Sequence, residues 1–366
     1  MTVLGVTRSR DPAESSASGG TVGEGAGFNI ADVAVDRHVR TGHGDDIAIR
    51  WIGRDRADLD DPLDITFSML ARRSSRFASA LRRHDISAGT VVSTVLGRVP
   101  DLYVTALGTW KAGCVFAAVS AASGPEPAAD RLRLGRARVV ITSPTLFRRT
   151  LAPILDRLPD LETVLICGAS EDQTARSAIR PGTGPLVMSC GAFLSDGADS
   201  FEVDATDPDS PATLHFTGGT DGTPECVVHP HARRHDGDTL DLRAGDTMWS
   251  TTDPVWATGV ADDVTAALHC GATSIVDEAE CDAPRALHIL AHQDVDVLYA
   301  SPATLRVLRD AAQDRGPLAH GPRVVAAIGE PLDAGTSEWA GRFFGTPVQK
   351  MSPAGTTAST GRTARR

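Results

Sequence analysis

The sequence predicts an α/β fold of mainly parallel sheets covered by helices, and three observations carry that expectation. Short apolar runs alternate with stretches of helical periodicity. Proline and glycine punctuate the junctions where helices should start and stop. With 41% apolar residues in 366, the chain can bury a large core, enough for one big domain or two ordinary ones.

Taken in order, residues 1–26 are rich in Ser, Gly, Thr and Ala without periodic apolar positions, and read as a disordered leader. Order is expected from about Phe28. Over 66–83 the apolar positions Met69, Leu70, Phe77, Ala80 and Leu81 share a helical face, with arginines on the other. A βαβ unit follows. Val91–Leu96 reads as a buried strand, Pro100–Lys111 as a helix with proline in its first turn and Gly113 past its end, and 114–119 as the next strand. Further strands are expected over 138–142, 163–167, 273–276, 295–300 and 323–328, with helices over 284–292 and Pro302–Ala312 between the later ones. This alternation places ligand loops at the C-terminal ends of the strands. Residues 352–366 hold no apolar side chain larger than Ala and read as a disordered tail, which leaves 27–351 as the folded region.

Composition narrows the function. Lys plus Arg total 36 against 47 for Asp plus Glu, and a net charge of −11 argues against general affinity for nucleic acid or an anionic membrane. Lys111 and Lys350 are the only lysines, so chemistry that needs a lysine has two candidates. The six cysteines are dispersed with no CxxC pair, which suits a reducing compartment. No charged-then-apolar signal segment opens the chain and no apolar run approaches the roughly 20 residues that span a bilayer, so a cytoplasmic protein is expected.

The most informative stretch is TLHFTGGTDGTPECVVHPH, residues 213–231. The backbone N–H groups of Gly218, Gly219, Asp221 and Gly222 can curl around phosphate oxygens, because glycine permits φ > 0 and close approach of an anion. Alone, such a motif is better read as a tight glycine turn, since short glycine motifs recur by chance. No Lys or Arg lies between Ser210 and Pro230. Cys226, His229, His231 and His235 have the ligand types and spacing of a zinc site, but Arg233 and Arg234 would set positive charge beside the dication, and no metal site is assigned.

The glycine loop resembles the phosphate loop of AMP-forming acyl-CoA synthetases, roughly T-S-G-T-T-G-x-P-K-G-V-V-H. Gly218 stands at the pattern's Ser, Asp221 at its second Thr, Glu225 at its Lys and Cys226 at its following Gly. Other segments resemble the acetyl-CoA synthetases of this adenylate-forming superfamily in order. They are FNIADVAVDRHV, Trp110-Lys111-Ala112-Gly113, SGPEP with DRLRLGRARVVITSP, STTDPVWATGV, GATSIVDEAECDAPRALHIL, YASPATLR and AIGEPLDAGTSEWAGRFFGTPV. The resemblance covers about 28–348.

What the resemblance implies is the large N-terminal domain of the adenylate-forming fold, incomplete at its C-terminus, with the small C-terminal catalytic domain and its lysine absent. The implied reaction joins a short carboxylate to ATP, forms acyl-AMP and passes the acyl group to CoA. Thr217, Gly218, Gly219, Thr220 and Gly222 carry over as phosphate contacts, Gly329, Glu330 and Pro331 as contacts to adenine, and Trp256 and Thr258 as acyl-pocket residues. The family's D-x-W-W-Q-T-E-T motif falls on Lys350, Met351, Ser352, Pro353, Ala354, Gly355, Thr356 and Thr357. Thr356 then stands where the family has its Mg²⁺ carboxylate, which puts Mg²⁺ binding in doubt, and no catalytic residue carries over. The expectation is a ligase scaffold impaired or inactive as this chain alone, prone to self-association. The alternative is a non-catalytic nucleotide- or acyl-binding partner of an intact synthetase.

Overall fold

A computed structural model describes residues 28–168, 184–218, 224–231, 240–253, 259–312 and 315–351. The chain divides into two units. The first takes Met1–Asp45, Phe67–Arg233 and Thr363–Arg366, the second Asp46–Thr66 and Arg234–Arg362. The leader over 1–26 and the tail over 352–366 lie outside the described residues.

The second unit opens with β1 (Ile47–Ile52) and β2 (Leu63–Thr66). The first unit then contributes β3 (Val91–Leu96), β4 (Val115–Ser120), β5 (Val139–Thr142), β6 (Thr163–Ile166), β7 (Leu186–Ser189), β8 (Pro211–Gly218) and β9 (Pro224–Pro230). Back in the second unit come β10 (Thr247–Ser250), β11 (Thr273–Asp277), β12 (Val297–Ala300), β13 (Val324–Ile328) and β14 (Val348–Met351).

Each unit is built on a seven-stranded sheet. In the first the order is β7-β6-β5-β3-β4-β8-β9, parallel throughout except that β9 runs antiparallel to β8. In the second it is β14-β13-β12-β10-β11-β1-β2, with β2 antiparallel to β1. The α/β class and the predominance of parallel pairing are those the sequence predicts. β1 and β2 were not foreseen, because β2 pairs with β1, and β1 pairs with β11 more than two hundred residues away: Ile49 lies opposite Ser274.

The first unit's core forms around the helix Pro100–Lys111, whose every residue is buried. Against it packs the helix Phe67–Arg83, burying Phe67, Leu70, Ala71, Ser74, Phe77, Ala78 and Leu81 at helical spacing. The two helices cross closely at Gly108, where a Cβ would meet the Ser74 carbonyl oxygen at 2.7 Å. In the second unit the strands alternate between two apolar clusters. Leu298, Ala300, Val325 and Ala327 face one, with Ile289, Leu305 and Phe343. Val297, Tyr299, Val324, Ala326 and Ile328 face the other, with Met248 and Ala267. A strand apolar at every position is thus covered on both faces, as parallel sheets require.

One buried cation in each unit is held by oxygen acceptors. Lys111, which sequence reading left without a role, is wholly buried; its Nζ donates to Asp36 Oδ1 at 2.7 Å, the Ala71 carbonyl at 3.1 Å and Ser75 Oγ at 3.0 Å. Arg285 in the second unit donates to Asp277 and to the Gly53 carbonyl. Among the described residues no helix is long and apolar enough to cross a membrane, and all six cysteines are free.

Candidate functional site

The glycine motif closes a β-hairpin. β8 runs parallel beside β4, so its C-terminal end falls at the edge of the sheet where the rule for α/β folds places ligands. β9 returns antiparallel, and the last pairs before the turn are Thr217 with Glu225 and Gly218 with Pro224. Thr217 is therefore half-buried at the mouth of the loop with the exposed Glu225 directly across the ladder. Gly219, Thr220 and Gly222 lie outside the described residues.

Alternation sorts the hairpin into two faces. Leu214 and Phe216 share a face with Cys226 and Val228, and Phe216 packs on the core cluster of Val95, Val140 and Phe147. Thr213, His215 and Thr217 share the other with Glu225, Val227 and His229. His215 and His229 approach across the ladder with ring centroids 6.2 Å apart. Cys226 and His229 point to opposite faces, so the suspected zinc spacing does not converge there. Two residues beyond His229, His231 is wholly buried and its Nδ1 accepts the Ile30 N–H at 3.3 Å. Its Nε2 finds no hydrogen-bond partner among the described residues, and burial holds the imidazole down at about 4. A proton on Nδ1 would face the Ile30 N–H, so the neutral ring is the form that fits. His235 lies outside the described residues.

The second unit carries the other candidate segment. Gly329 ends β13 at φ 104, a conformation only glycine adopts without strain, and turns the chain so that Glu330 and Pro331 are exposed at a strand C-terminus. Leu332 then buries, and Asp333 caps the helix Ala334–Phe344 by accepting the Thr336 N–H at 2.8 Å. That bond, with the Thr336 hydroxyl next, holds the Asp333 carboxyl below its ordinary range. Two arginines of the helix Pro302–Ala312 brace the turn. Arg306 Nη2 lies 3.0 Å from Glu330 Oε1, and Arg309 Nη1 donates to Thr336 Oγ1 at 2.7 Å. In the sequence Arg306 stands out only as the end of YASPATLR; its spacing of three from Arg309 puts both on one helix face but does not name the turn they reach.

The segment leading to the expected acyl pocket is described up to Asp253. Thr251 and Thr252 are buried at the end of β10, with the Thr252 hydroxyl 2.9 Å from Ser250 Oγ. Trp256 and Thr258 lie outside the described residues, as do Thr356 and Thr357. Lys350 is exposed on β14, at the edge of the second unit's sheet. Among the described residues no group of three or more His, Cys, Asp and Glu side chains is arranged to hold a metal ion.

The profile of the family described as AMP-binding enzyme matches residues 35–360. Among curated proteins, the acetyl-coenzyme A synthetase of Bacillus subtilis (strain 168) is 27% identical over 329 residues, covering 87% of this chain and 54% of that protein. Acetyl-coenzyme A synthetase 1 of Pseudomonas aeruginosa is 28% identical over 348 residues, covering 89% and 51%. The acetyl-coenzyme A synthetase of Halorhodospira halophila is 29% identical over 335 residues, covering 86% and 50%. Among solved structures, an acyl-CoA synthetase from Brucella canis superposes with a TM-score of 0.74 at 25% identity, over 89% of this chain and 58% of that one. The chain spans about half the length of the curated relatives it matches.

Proposed function

This chain belongs to the AMP-binding enzyme family, within the adenylate-forming superfamily and distantly related to acetyl-coenzyme A synthetases, and we propose that it is an acid–thiol ligase scaffold whose chemistry is impaired as this chain alone. The reaction for which the scaffold is built activates a short carboxylate with ATP to acyl-AMP and transfers the acyl group to CoA.

The observation that carries the proposal is the pairing of Glu225 with Thr217 at the mouth of the glycine hairpin. The turn between them has the residue types to offer backbone N–H groups to phosphate, and no Lys or Arg stands between Ser210 and Pro230 to accompany them. An exposed carboxylate there repels the pyrophosphate that leaves during adenylation, where preorganised donors or cations contribute several kcal/mol to a working site. The residues present therefore fit the phosphates of ATP or AMP through the backbone and oppose a triphosphate through the side chain. Thr356, where the resemblance sets the Mg²⁺ carboxylate, would bring no charge to the metal. Gly329, Glu330 and Pro331 are proposed to lie against adenine and Trp256 and Thr258 against the acyl group. A cytoplasmic setting accords with six free cysteines.

A second reading, a non-catalytic nucleotide- or acyl-binding partner of an intact synthetase, draws on the same hairpin together with the Arg306 and Arg309 bracing of the Gly329 turn. Acetate-dependent exchange of labelled pyrophosphate into ATP tests the proposal. The expected result is a rate far below about 1 s⁻¹, and exchange at about 1 s⁻¹ or faster would refute the impairment.

A further inference from the structure

Two thiols stand side by side at the β6 and β7 edge of the first unit's sheet. These strands run parallel with Ile166 opposite Ser189, so the next residue on each is a cysteine, Cys167 beside Cys190. Cys167 stays on the ladder, its N–H donating to the Thr142 carbonyl at 2.8 Å. Cys190 opens the helix Cys190–Ser195, whose first turn is fixed by Ser189 Oγ accepting the Ala192 N–H at 3.1 Å. Both are free thiols, exposed by only 5% and 3%. Neighbouring positions on paired strands separate their Cα atoms by about 5 Å, inside the roughly 4.4–6.8 Å that a disulfide spans.

We propose that Cys167 and Cys190 form an oxidisable dithiol site that takes a peroxide as its oxidant and closes to an intrachain disulfide. One of the two sulfurs takes one oxygen from hydrogen peroxide, giving a sulfenic acid and one water. The other sulfur then displaces that hydroxyl, giving the S–S bond and a second water. Two thiols thus lose two electrons and two protons, and the O–O bond of the peroxide breaks. Burial first, and then contact with Cys190, push the Cys167 thiol well above its ordinary range. The bridge would tie the end of β6 to the start of the following helix and close the chain from Gly168 to Ser189 into a loop.

The test uses the full chain, reduced, treated with hydrogen peroxide, alkylated in denaturant and digested with trypsin. Cleavage after Arg176 separates the two cysteines, so a disulfide appears as a linked peptide pair that reductant releases. The expected result is loss of two alkylatable thiols per chain, both assigned to this pair, and loss of the linked species in Cys190→Ala and Cys167→Ala. The native chain alone decides the matter if either variant misfolds. Recovery of Cys167 and Cys190 as alkylated thiols after other cysteines have reacted, or their bridging to other cysteines instead, would overturn the proposal.

Discussion

Replacing Lys111 by methionine keeps most of the apolar stem and removes the ammonium from a site with no water to replace it. Three acceptors lose their donor: Asp36 Oδ1, the Ala71 carbonyl and Ser75 Oγ. Asp36 is left largely buried with its second oxygen already unpartnered. Removing one member of a buried ion pair costs about 3–5 kcal/mol, most of it from the stranded charge, so the folding equilibrium should fall by roughly two to four decades. The deficit should also depend on pH. Burial already raises the Asp36 carboxyl against the lowering effect of Lys111, so without the lysine its folded pKa lies further above the unfolded value. A group raised in this way is stabilising while protonated and loses that contribution as pH rises through its folded pKa, so the variant should be least impaired in acid and most impaired at neutral pH. Urea unfolding followed by hydrogen-exchange mass spectrometry of Phe67–Arg83 and Pro100–Lys111 isolates this unit from the other. Lys111→Met paired with Asp36→Leu, which removes both charges, should recover much of the loss. A single-variant cost under about 1 kcal/mol, the range of an exposed pair, or a double variant no better than the single, would refute the reasoning.

Gly108→Ala should destabilise the same unit by about 1–3 kcal/mol, since the added carbon meets the Ser74 carbonyl at 2.7 Å and the Phe77 ring carbon Cδ1 at 2.9 Å; a more stable variant in the same melt would show that the helices separate freely. For His231, held at about 4 against 6.5 for the free side chain, the sign is that of a depressed group: its contribution is present above pH 6.5 and is lost as pH falls through 4. Native protein should therefore lose on the order of 3 kcal/mol more than His231→Asn across that window, and parallel pH profiles of the two proteins would contradict it.

How much of this was legible in the sequence follows from how local each determinant is. Val91–Leu96 and Pro100–Lys111 were readable to the residue because their signals are local: a run rich in β-branched residues, a proline at the first turn and a glycine past the last. β1 and β2 were not, since Arg50 and Asp64 break the apolar pattern and β1 is held between β2 and the distant β11. Of the later strands β11, β12 and β13 were placed and β10 and β14 were not; 295–300 proved to start at Val297, because Val295 packs as a loop residue in the core before the ladder begins. At the candidate site the glycine turn and Glu225 were visible as a departure from the family's pattern of residue types, whereas the facing positions of Thr217 and Glu225 on the hairpin needed the register. The ion pair of Arg306 with Glu330 and the burial of Lys111 were invisible, because each joins elements that only tertiary packing brings together.

The central claim is that the hairpin addresses phosphate and that Glu225 opposes it, and titration of ATP by calorimetry into native protein and Glu225→Lys, with and without Mg²⁺, tests it most directly. Reversal of one exposed charge beside a triphosphate should tighten binding by roughly tenfold at low ionic strength. The gain should shrink as salt rises. Equal affinities for the two proteins at every salt concentration would mean that Glu225 does not face the phosphates, and the assignment of the hairpin would fail.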